Sequence, residues 1–241
     1  MILVFCELTD TAALWAAERL RGGGAETEVV TAPALGSATR WEHRVGRSGA
    51  SVEIELDDGR RLSSRRRMGV LNRLSFVPTE RLDRIAGADR DYAVQEMNAL
   101  FLSWLHALPG PVVNRPAPQG LGGNWRHPSM WAALAGRAGL PVATYRQSSE
   151  TDPNAAWLAA RPPFPTTVFV VGEAVVASPI VGGELRQACA RLARAAGESL
   201  LGIDLGMRHD GTWEVGWISP LPDLMRGGER IVEALAAVLE A

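Results

Sequence analysis

The spacing of apolar residues changes along this chain between a strand pattern and a helix pattern. Residues 1–6 form a short continuous apolar run, which is typical of a buried strand. Apolar residues then recur at helical spacing over residues 11–21, and three glycines follow. Residues 28–30 form a second apolar run. The order of strand, helix and strand predicts the beginning of a parallel α/β layer.

The remaining pattern predicts further alternation of strands and helices. Polar and apolar residues alternate over residues 41–64, and Asp57-Asp58-Gly59 supplies a turn, so this segment predicts a two-stranded hairpin. Other predicted elements are strands over residues 68–74, 111–114, 140–145, 167–171, 174–178, 200–207 and 212–218, and helices over residues 89–108, 129–137, 184–196 and 229–240.

A proline-rich and polar stretch, residues 146–166, interrupts this pattern. Its composition predicts a linker or a lid rather than regular structure. We therefore expect three parts: an N-terminal α/β region over residues 1–145, the linker or lid over 146–166, and a C-terminal region over 167–241.

The composition excludes several classes of protein. The chain is 46% hydrophobic and 22% charged, which is ordinary for a globular protein. Its formal net charge of -2 argues against a nucleic-acid partner. No apolar run approaches the ~20 residues of a membrane span, and the first residues do not read as a signal peptide. We expect a cytoplasmic protein with no membrane partner.

Two further counts bear on chemistry. Cys6 and Cys189 are the only cysteines, and we expect both to be small buried hydrophobic residues rather than part of a disulfide or zinc framework. Every basic residue is an arginine, and the chain has no lysine. This matters because lysine is a frequent phosphate ligand.

One motif near the C-terminus suggests a family. Residues 210–220 read D-G-T-W-E-V-G-W-I-S-P and resemble the last strand of the ATP-grasp ligases, D-G-x-x-x-x-x-E-x-N-P. In that family the glutamate and the asparagine hold magnesium ions that bridge the ATP phosphates. Trp217 and Ser219 stand at these two positions here, and Asp204 is the only ligand position retained. The resemblance therefore implies a lost metal site, because an indole has no oxygen for a hard cation.

Other motifs extend the resemblance over most of the chain, to the ATP-grasp ligases that modify ribosomally made peptides, including the graspetide (microviridin-type) group. The matching segments are residues 58–62 (DGRRL), 70–73 (VLNR), 112–116 (VVNRP), 138–142 (AGLPV), 168–177 (VFVVGEAVVA) and 201–205 (LGIDL). Two departures affect the nucleotide site. Pro128 lies where the family has a phosphate-binding lysine, and residues 146–166 are too few for the two strands that hold phosphate and adenine.

The resemblance implies an α/β (α+β) fold that is ATP-grasp-like. We expect a parallel N-terminal α/β layer and a reduced central subdomain that lacks the nucleotide-binding strands. The same departures imply that the protein uses no cofactor and no metal. In size and in what it lacks, the chain is similar to the peptide-binding proteins of crocagin biosynthesis.

This resemblance implies a non-catalytic pseudoenzyme that binds a precursor peptide in the former ligase cleft, as an accessory protein in the biosynthesis of a ribosomally made, post-translationally modified peptide. Two alternatives stay open: an enzyme that acts on the bound peptide without ATP, for example in a cyclisation, and a scaffold subunit of a ligase complex. The expected partner is the leader or core segment of the precursor. A modifying enzyme of the pathway and a homodimer are further alternatives.

Aromatic and arginine residues are the candidates for peptide contact, because such residues dominate binding hot spots. Of eight tryptophans, Trp15 and Trp104 lie on predicted helices and are expected in the core. Trp125 lies in a polar loop and Trp217 at a former ligand position, so ligand contact is favoured for both. The candidate peptide contacts are Arg73, Trp125, Arg126, His127, Tyr145, Arg146, Trp217 and Ser219. No catalytic residue is assigned, and the enzyme alternative would use Asp204 and His127 as an acid–base pair.

Overall fold

The structure is a computed structural model that describes residues 1–47, 49–79, 81–82, 87–143, 145 and 166–241. Its strands are β1 Ile2–Cys6, β2 Thr27–Thr31, β3 Arg40–Gly46, β4 Gly49–Glu55, β5 Arg61–Ser63, β6 Gly69–Asn72, β7 Val112–Val113, β8 Thr166–Val171, β9 Ala174–Val176, β10 Leu200–Met207 and β11 Trp213–Ser219. Its helices are α1 Thr11–Gly22, α2 Ala32–Gly36, α3 Gly87–Ala107, α4 Pro128–Arg137, α5 Gly183–Ala196 and α6 Gly228–Leu239, with a 3-10 turn at Leu224–Gly227.

The backbone contacts divide the chain into two compact units. The first unit contains Met1–Trp125 and Val232–Ala241, and the second contains Arg126–Ile231. Of the predicted linker or lid, residues 146–165 lie outside the described residues, and Thr166 begins β8. The three-part division expected from composition stays a prediction.

A parallel sheet of strand order β2-β1-β6-β7 forms the centre of the first unit, as the opening pattern predicted. Every residue of β1 is buried, which explains its continuous apolar sequence. The Asp10 side chain caps α1 by accepting a hydrogen bond from the Ala13 amide at 2.9 Å. Alanines dominate the buried face of α1, and Gly23 follows its last turn.

The second sheet of this unit has three strands, in the order β3-β4-β5, so the predicted two-stranded hairpin is wrong by one strand. The Asp57-Asp58-Gly59 turn joins β4 to β5 as expected. The segment before it is long enough for two strands, and β3 pairs with β4 from Arg40 opposite Glu55 to Gly46 opposite Gly49. Gly49 takes a positive φ of 114°, which a side chain would disfavour.

Aromatic rings fill the core of the first unit. Trp104 packs against Phe5, Trp41 and Phe101, with ring centroids 5.1 to 5.6 Å apart. Trp104 is fully buried, as expected. Trp15 is only half-buried, and the Arg19 guanidinium lies 6.0 Å from its ring centroid. Its prediction as a core residue is therefore wrong, because α1 buries its alanine face instead.

The second unit is built on an antiparallel sheet of strand order β11-β10-β8-β9. Helices α4 and α5 contribute buried residues to the same hydrophobic cluster as β8, β10 and β11. The strand predicted over residues 140–145 is not found in the described part of that segment, where Val142 makes one isolated bridge to Val215. Pro141 lacks an N–H donor, which limits regular pairing there, although its carbonyl accepts from the Val215 amide at 2.9 Å.

Both cysteines are buried and unpaired, as predicted. Burial raises the pKa of the Cys6 thiol to about 11, and it raises the pKa of the Cys189 thiol to about 12. These thiols therefore stay protonated near neutral pH and act as small apolar side chains. None of the described helices combines the length and apolar character needed to cross a membrane.

Gly69 in β6 tests the packing of the C-terminal helix against the parallel sheet. A Cβ atom at this position would lie 2.1 Å from the Leu239 carbonyl oxygen, so the backbone would have to move. We expect Gly69→Ala to lower the free energy of unfolding by about 1–3 kcal/mol in chemical denaturation followed by circular dichroism. The matched control is Gly46→Ala, because a Cβ there meets nothing within 4 Å. Equal stability of the two variants would contradict this packing.

Candidate functional site

The sheet of the second unit has one face against the helices and one face turned away from them. Ile203 and Leu205 of β10 are fully buried and belong to the hydrophobic cluster that includes α4 and α5. Because successive residues of a strand point to opposite faces, Asp204 lies on the other face. It pairs across the sheet with Thr167 of β8.

The register of β11 brings Trp217 and Ser219, the two other positions that align with metal ligands in the ATP-grasp motif, to that same face. Ser219 pairs with Gly202 and Ile218 with Ile203, after which the register shifts before Val215. The shift is an irregularity that leaves Gly216 and Trp217 opposite Asp204. Trp217 and Ser219 therefore lie on the face that carries Asp204, as the motif alignment requires.

Asp204 is ion-paired with an arginine of the chain itself. The Asp204 Oδ1 atom accepts hydrogen bonds from Arg226 Nη1 at 2.9 Å and from Thr167 Oγ1 at 2.5 Å. Arg226 lies in the 3-10 turn, where the Asp223 carboxylate accepts from the Met225 amide at 3.1 Å. The Asp204 side chain is 21% exposed and that of Arg226 is 38% exposed, so solvent screens the pair only in part.

Trp217 and Ser219 have different surroundings. Trp217 is 60% exposed, so its indole does not fill a closed cavity. The Ser219 hydroxyl accepts a hydrogen bond from the Leu221 amide at 3.0 Å, which stabilises the turn after β11. The indole is thus available to a ligand, whereas the hydroxyl has a structural role.

The residues at these positions do not fit a magnesium ion. Magnesium prefers octahedral oxygen ligands and usually needs at least one or two carboxylates. Trp217 offers no oxygen, and the Asp204 carboxylate already binds Arg226. No group of three or more histidines, cysteines, aspartates or glutamates in the described ranges could hold a metal ion. The Arg226 guanidinium contacts the carboxylate that, in the ATP-grasp motif, would bind the metal ion.

A pocket of about 250 Å³ lies beside the Asp204–Arg226 pair. We call it the arginine pocket, and its lining residues are Thr166, Thr167, Phe169, Val176, Ala177, Ser178, Arg226, Gly227 and Arg230. Arg230 Nη1 donates a hydrogen bond to the Ala177 carbonyl at 3.0 Å. Neither arginine was among the residues predicted from the sequence. The fold alone brings Arg226 to Asp204 and Arg230 to the pocket.

Glu214 is a second carboxylate that the sequence left without a role. It belongs to β11, pairs across the sheet with Gly206, and is almost completely buried. Its Oε2 atom accepts a hydrogen bond from Arg208 Nε at 2.5 Å. This contact raises the pKa of the Arg208 guanidinium. The pair gives Glu214 a structural role.

Arg126 and His127 make contacts that hold the start of α4. Arg126 Nη2 donates to the Ala196 carbonyl at 2.9 Å, and its guanidinium lies 5.2 Å from the Trp131 ring centroid. His127 caps α4, since its Nδ1 atom accepts from the Ser129 amide at 3.3 Å. These contacts favour structural roles for both residues, and their assignment as peptide contacts stays a prediction.

The other candidates are placed as follows. Arg73 is buried in the first unit, where its Nε donates to Asp10 Oδ2 at 2.7 Å. Trp125 is the last residue of the N-terminal segment of the first unit and is 64% exposed. The Tyr145 ring lies edge-on to His127, with centroids 6.0 Å apart. Arg146 lies outside the described residues. The role of each in peptide binding stays a prediction.

The described contacts of Asp204 and His127, the acid–base pair considered for an enzyme, are with other residues. Asp204 binds Thr167 and Arg226, whereas His127 contacts Ser129 and Tyr145. A carboxylate must orient or receive a proton from the imidazole to form such a pair. The described geometry therefore gives no support to catalysis by these two residues.

The fold is that of the ATP-grasp ligases, as the motifs predicted. The structure is similar to the macrocyclase MdnC from Microcystis aeruginosa MRC, solved with the precursor peptide MdnA, with a TM-score of 0.72 and 12% identity over 100% of this chain and 99% of that one. It is also similar to a Chryseobacterium gregarium RiPP-associated ATP-grasp ligase, solved with ADP and a leader and core peptide, with a TM-score of 0.69 and 10% identity over 99% and 96% of the two chains.

A third similar structure is the ATP-grasp ligase PsnB, solved with a minimal precursor, Mg and ADP. Its TM-score is 0.67, with 18% identity over 100% of this chain and 98% of that one. At the level of sequence, no protein-family model and no curated protein matches the chain. The similarities in structure therefore define the fold, and the function has to be argued from the residues.

The exposure of Trp217 gives a direct test of its role in stability. We expect Trp217→Ala to change the free energy of unfolding by no more than about 0.5 kcal/mol, because the side chain lies at the surface. The matched control is Trp131→Ala in the same unit, where only 7% of the residue is exposed, and this change should cost about 3–5 kcal/mol. Chemical denaturation measures both. A large loss of stability in Trp217→Ala would show that the indole is a packing residue.

Proposed function

We propose that this chain is a pseudoenzyme that binds the precursor of a ribosomally made, post-translationally modified peptide and presents it to a modifying enzyme. One observation carries the proposal. The former ligand face holds Asp204 already paired with Arg226, and the exposed indole of Trp217 lies opposite Asp204 on the neighbouring strand. In this proposal, Arg226 and Trp217 make the face a surface for contact with a peptide instead of a site for a metal ion.

The chemistry of phosphoryl transfer disfavours an active ligase. Transfer of a phosphoryl group depends on metal ions and positive side chains placed around the developing negative charge. Here a guanidinium neutralises Asp204, Trp217 replaces a ligand oxygen, and no lysine exists anywhere in the chain. A metal-bound nucleotide would have to displace Arg226 before it could approach Asp204.

A peptide is the ligand class that the fold and the exposed aromatic residue favour. MdnC was solved with its precursor peptide, and the Chryseobacterium gregarium ligase with a leader and core peptide. Tryptophan is enriched at the energetic centres of protein interfaces because it combines a large apolar area with low conformational entropy. The sequence resemblance to the peptide-binding proteins of crocagin biosynthesis supports the same proposal, and the cytoplasm is where we expect the complex to form.

Calorimetry with the precursor peptide encoded beside this gene tests the proposal. We expect saturable binding with micromolar or tighter affinity, and an unchanged peptide mass when the mixture is analysed by mass spectrometry. Conversion of the peptide by this protein alone would instead establish an enzyme that acts without ATP. The proposal is wrong if the precursor does not bind this chain. If a full-length ATP-grasp ligase of the same pathway binds this chain instead, the chain is a scaffold subunit.

The same titration with Trp217→Ala identifies the binding face. We expect this variant to lose about 2 kcal/mol or more of binding free energy, which is typical of a hot-spot aromatic residue. The control is Phe76→Ala, which removes another highly exposed aromatic ring that is not among the candidate contacts. Equal affinities of the two variants and the wild type would exclude Trp217 from the peptide site.

A further inference from the structure

We propose that strand β3 pairs with β3 of a second copy of this chain, so that two molecules form a two-fold symmetric dimer. A homodimer is one of the alternatives that the sequence left open, and this inference adds the surface that would form it. It goes beyond the proposed function because it concerns the first unit and requires neither a peptide nor a nucleotide.

Strand β3 lies at one edge of its sheet. The strand order is β3-β4-β5, so β4 pairs with only one side of β3 along Arg40–Gly46. We call the other side the β3 edge. In the described part of the chain, no strand pairs with this edge. An exposed edge carries a row of backbone donors and acceptors, which is a template for pairing with another strand.

The backbone groups of β3 point alternately to β4 and to the β3 edge. The Val52 carbonyl of β4 accepts a hydrogen bond from the Ser64 amide at 3.0 Å, so the backbone groups of Val52 point to β5. His43 lies opposite Val52. Because opposite residues of antiparallel strands alternate between hydrogen-bonded and non-hydrogen-bonded pairs, His43 points its backbone groups to the β3 edge. Trp41 and Val45, two positions away on either side, do the same.

One register lets β3 pair with itself over its full length of seven residues. In this register His43 lies opposite His43 of the second copy. Trp41 then lies opposite Val45, and both of these residues also point their backbone groups to the β3 edge. Arg40 lies opposite Gly46, which has no side chain to obstruct it. The residues that point to the edge therefore form the hydrogen-bonded pairs of the dimer.

The charges of β3 select this register. Glu42 falls opposite Arg44 of the second copy, and the two-fold axis repeats the contact. These are non-hydrogen-bonded positions, where opposite side chains come closest. The two neighbouring registers that keep the backbone pairing would place Glu42 opposite itself or Arg44 opposite itself. Like charges directly opposite each other destabilise a sheet.

The charged side chains are already arranged on one face of β3. Glu42 accepts a hydrogen bond from Arg40 Nη2 at 2.8 Å and another from Arg44 of its own strand. These hydrogen bonds, first that of Arg44 and then that of Arg40, lower the pKa of the Glu42 carboxyl, so it is ionised at neutral pH. The Arg44 side chain is 76% exposed, which leaves donors for a carboxylate of the second copy.

The opposite face of β3 adds an apolar contact. The Trp41 ring packs against Phe101 of α3, with centroids 5.0 Å apart, and Val45 follows it on the same face. Val45 is 72% exposed, which is unusual for a valine in a strand. In the dimer it lies opposite Trp41 of the second copy, and pairs of aromatic and β-branched residues stabilise neighbouring strands.

Sedimentation velocity tests the proposal with the full chain. A single strand pair makes a small interface, so we expect a reversible monomer–dimer equilibrium for the wild type between about 1 and 200 µM. Glu42→Arg and Arg44→Glu each replace both opposite-charge pairs of the dimer by like-charge pairs. Each should raise the dissociation constant of the dimer by about tenfold or more.

An equimolar mixture of the two variants identifies the contact. In a mixed dimer the positive pair of one chain lies opposite the negative pair of the other, so the mixture should dimerise at concentrations where each variant alone is monomeric. The double variant Glu42→Arg/Arg44→Glu should also recover dimerisation. The control is Glu18→Arg, which makes the same change of charge at an exposed position of α1 and should leave the equilibrium unchanged.

Val45→Pro tests the backbone pairing separately from the charges. Proline removes an N–H group that points to the β3 edge, and it is tolerated on an edge strand when that side faces solvent. We expect the dimer to be lost while the circular dichroism spectrum stays that of the wild type. Val45→Ala keeps the N–H group and should retain dimerisation. If Val45→Pro disturbs the fold, the charge variants and their mixture decide alone.

Three results would overturn the proposal: a wild type that stays monomeric over the whole concentration range, a dimer that neither charge variant weakens, or a mixture that does not dimerise. A monomeric wild type whose β3 amides become protected from hydrogen exchange only with the precursor would show that the edge accepts a peptide strand instead. Because sedimentation is measured without precursor, failure here would leave the proposed function standing.

Discussion

The contact between Asp204 and Arg226 sets the local charge on the outer face of the sheet in the second unit. It places a positive side chain on the one carboxylate that the resemblance identifies as a former metal ligand. The side chains of Asp204 and Arg226 are 21% and 38% exposed, so solvent partly screens the pair and its net contribution to stability is small. In the described geometry the Asp204 carboxylate contacts a guanidinium, so a divalent cation would have to displace Arg226 to bind there.

The register of the antiparallel sheet places Asp204 on the same face as Trp217 and Ser219. The buried residues of β10 and β11 fix one face of the sheet on the helices, so Asp204, Trp217 and Ser219 must share the opposite face. The 3-10 turn then brings Arg226 to Asp204, and the first turn of α6 brings Arg230 beside the same pocket. An exposed indole, an anchored guanidinium pair and a small partly apolar pocket all belong to one unit. This combination is the structural basis of the proposed recognition of a peptide.

Local sequence predicted most elements, and long-range geometry explains the errors. The apolar run of β1 and the capped, glycine-terminated α1 are signals within a few residues, and both were predicted correctly. The strand β3 was missed because the hairpin prediction used only the Asp57-Asp58-Gly59 turn, whereas Gly46 ends one strand of this segment and Gly49 begins the next. The predicted strand after α4 is reduced to one bridge at Val142, where apolar content suggested more pairing than the neighbouring Pro141 permits.

The site was predictable only in part, because the motif is a local signal and the contacts of its residues depend on the fold. The motif alignment identified Asp204, Trp217 and Ser219, but only the three-dimensional structure shows that Arg226 neutralises the aspartate and that the indole is exposed. We propose above that this chain binds its peptide without using a nucleotide. Calorimetric titration of the precursor with and without saturating ATP and magnesium tests it most directly, because a nucleotide in the same cleft would be coupled to the peptide. We expect the same peptide affinity in both titrations, whereas an affinity that changes with the nucleotide would show that the chain binds ATP and that the proposal is wrong.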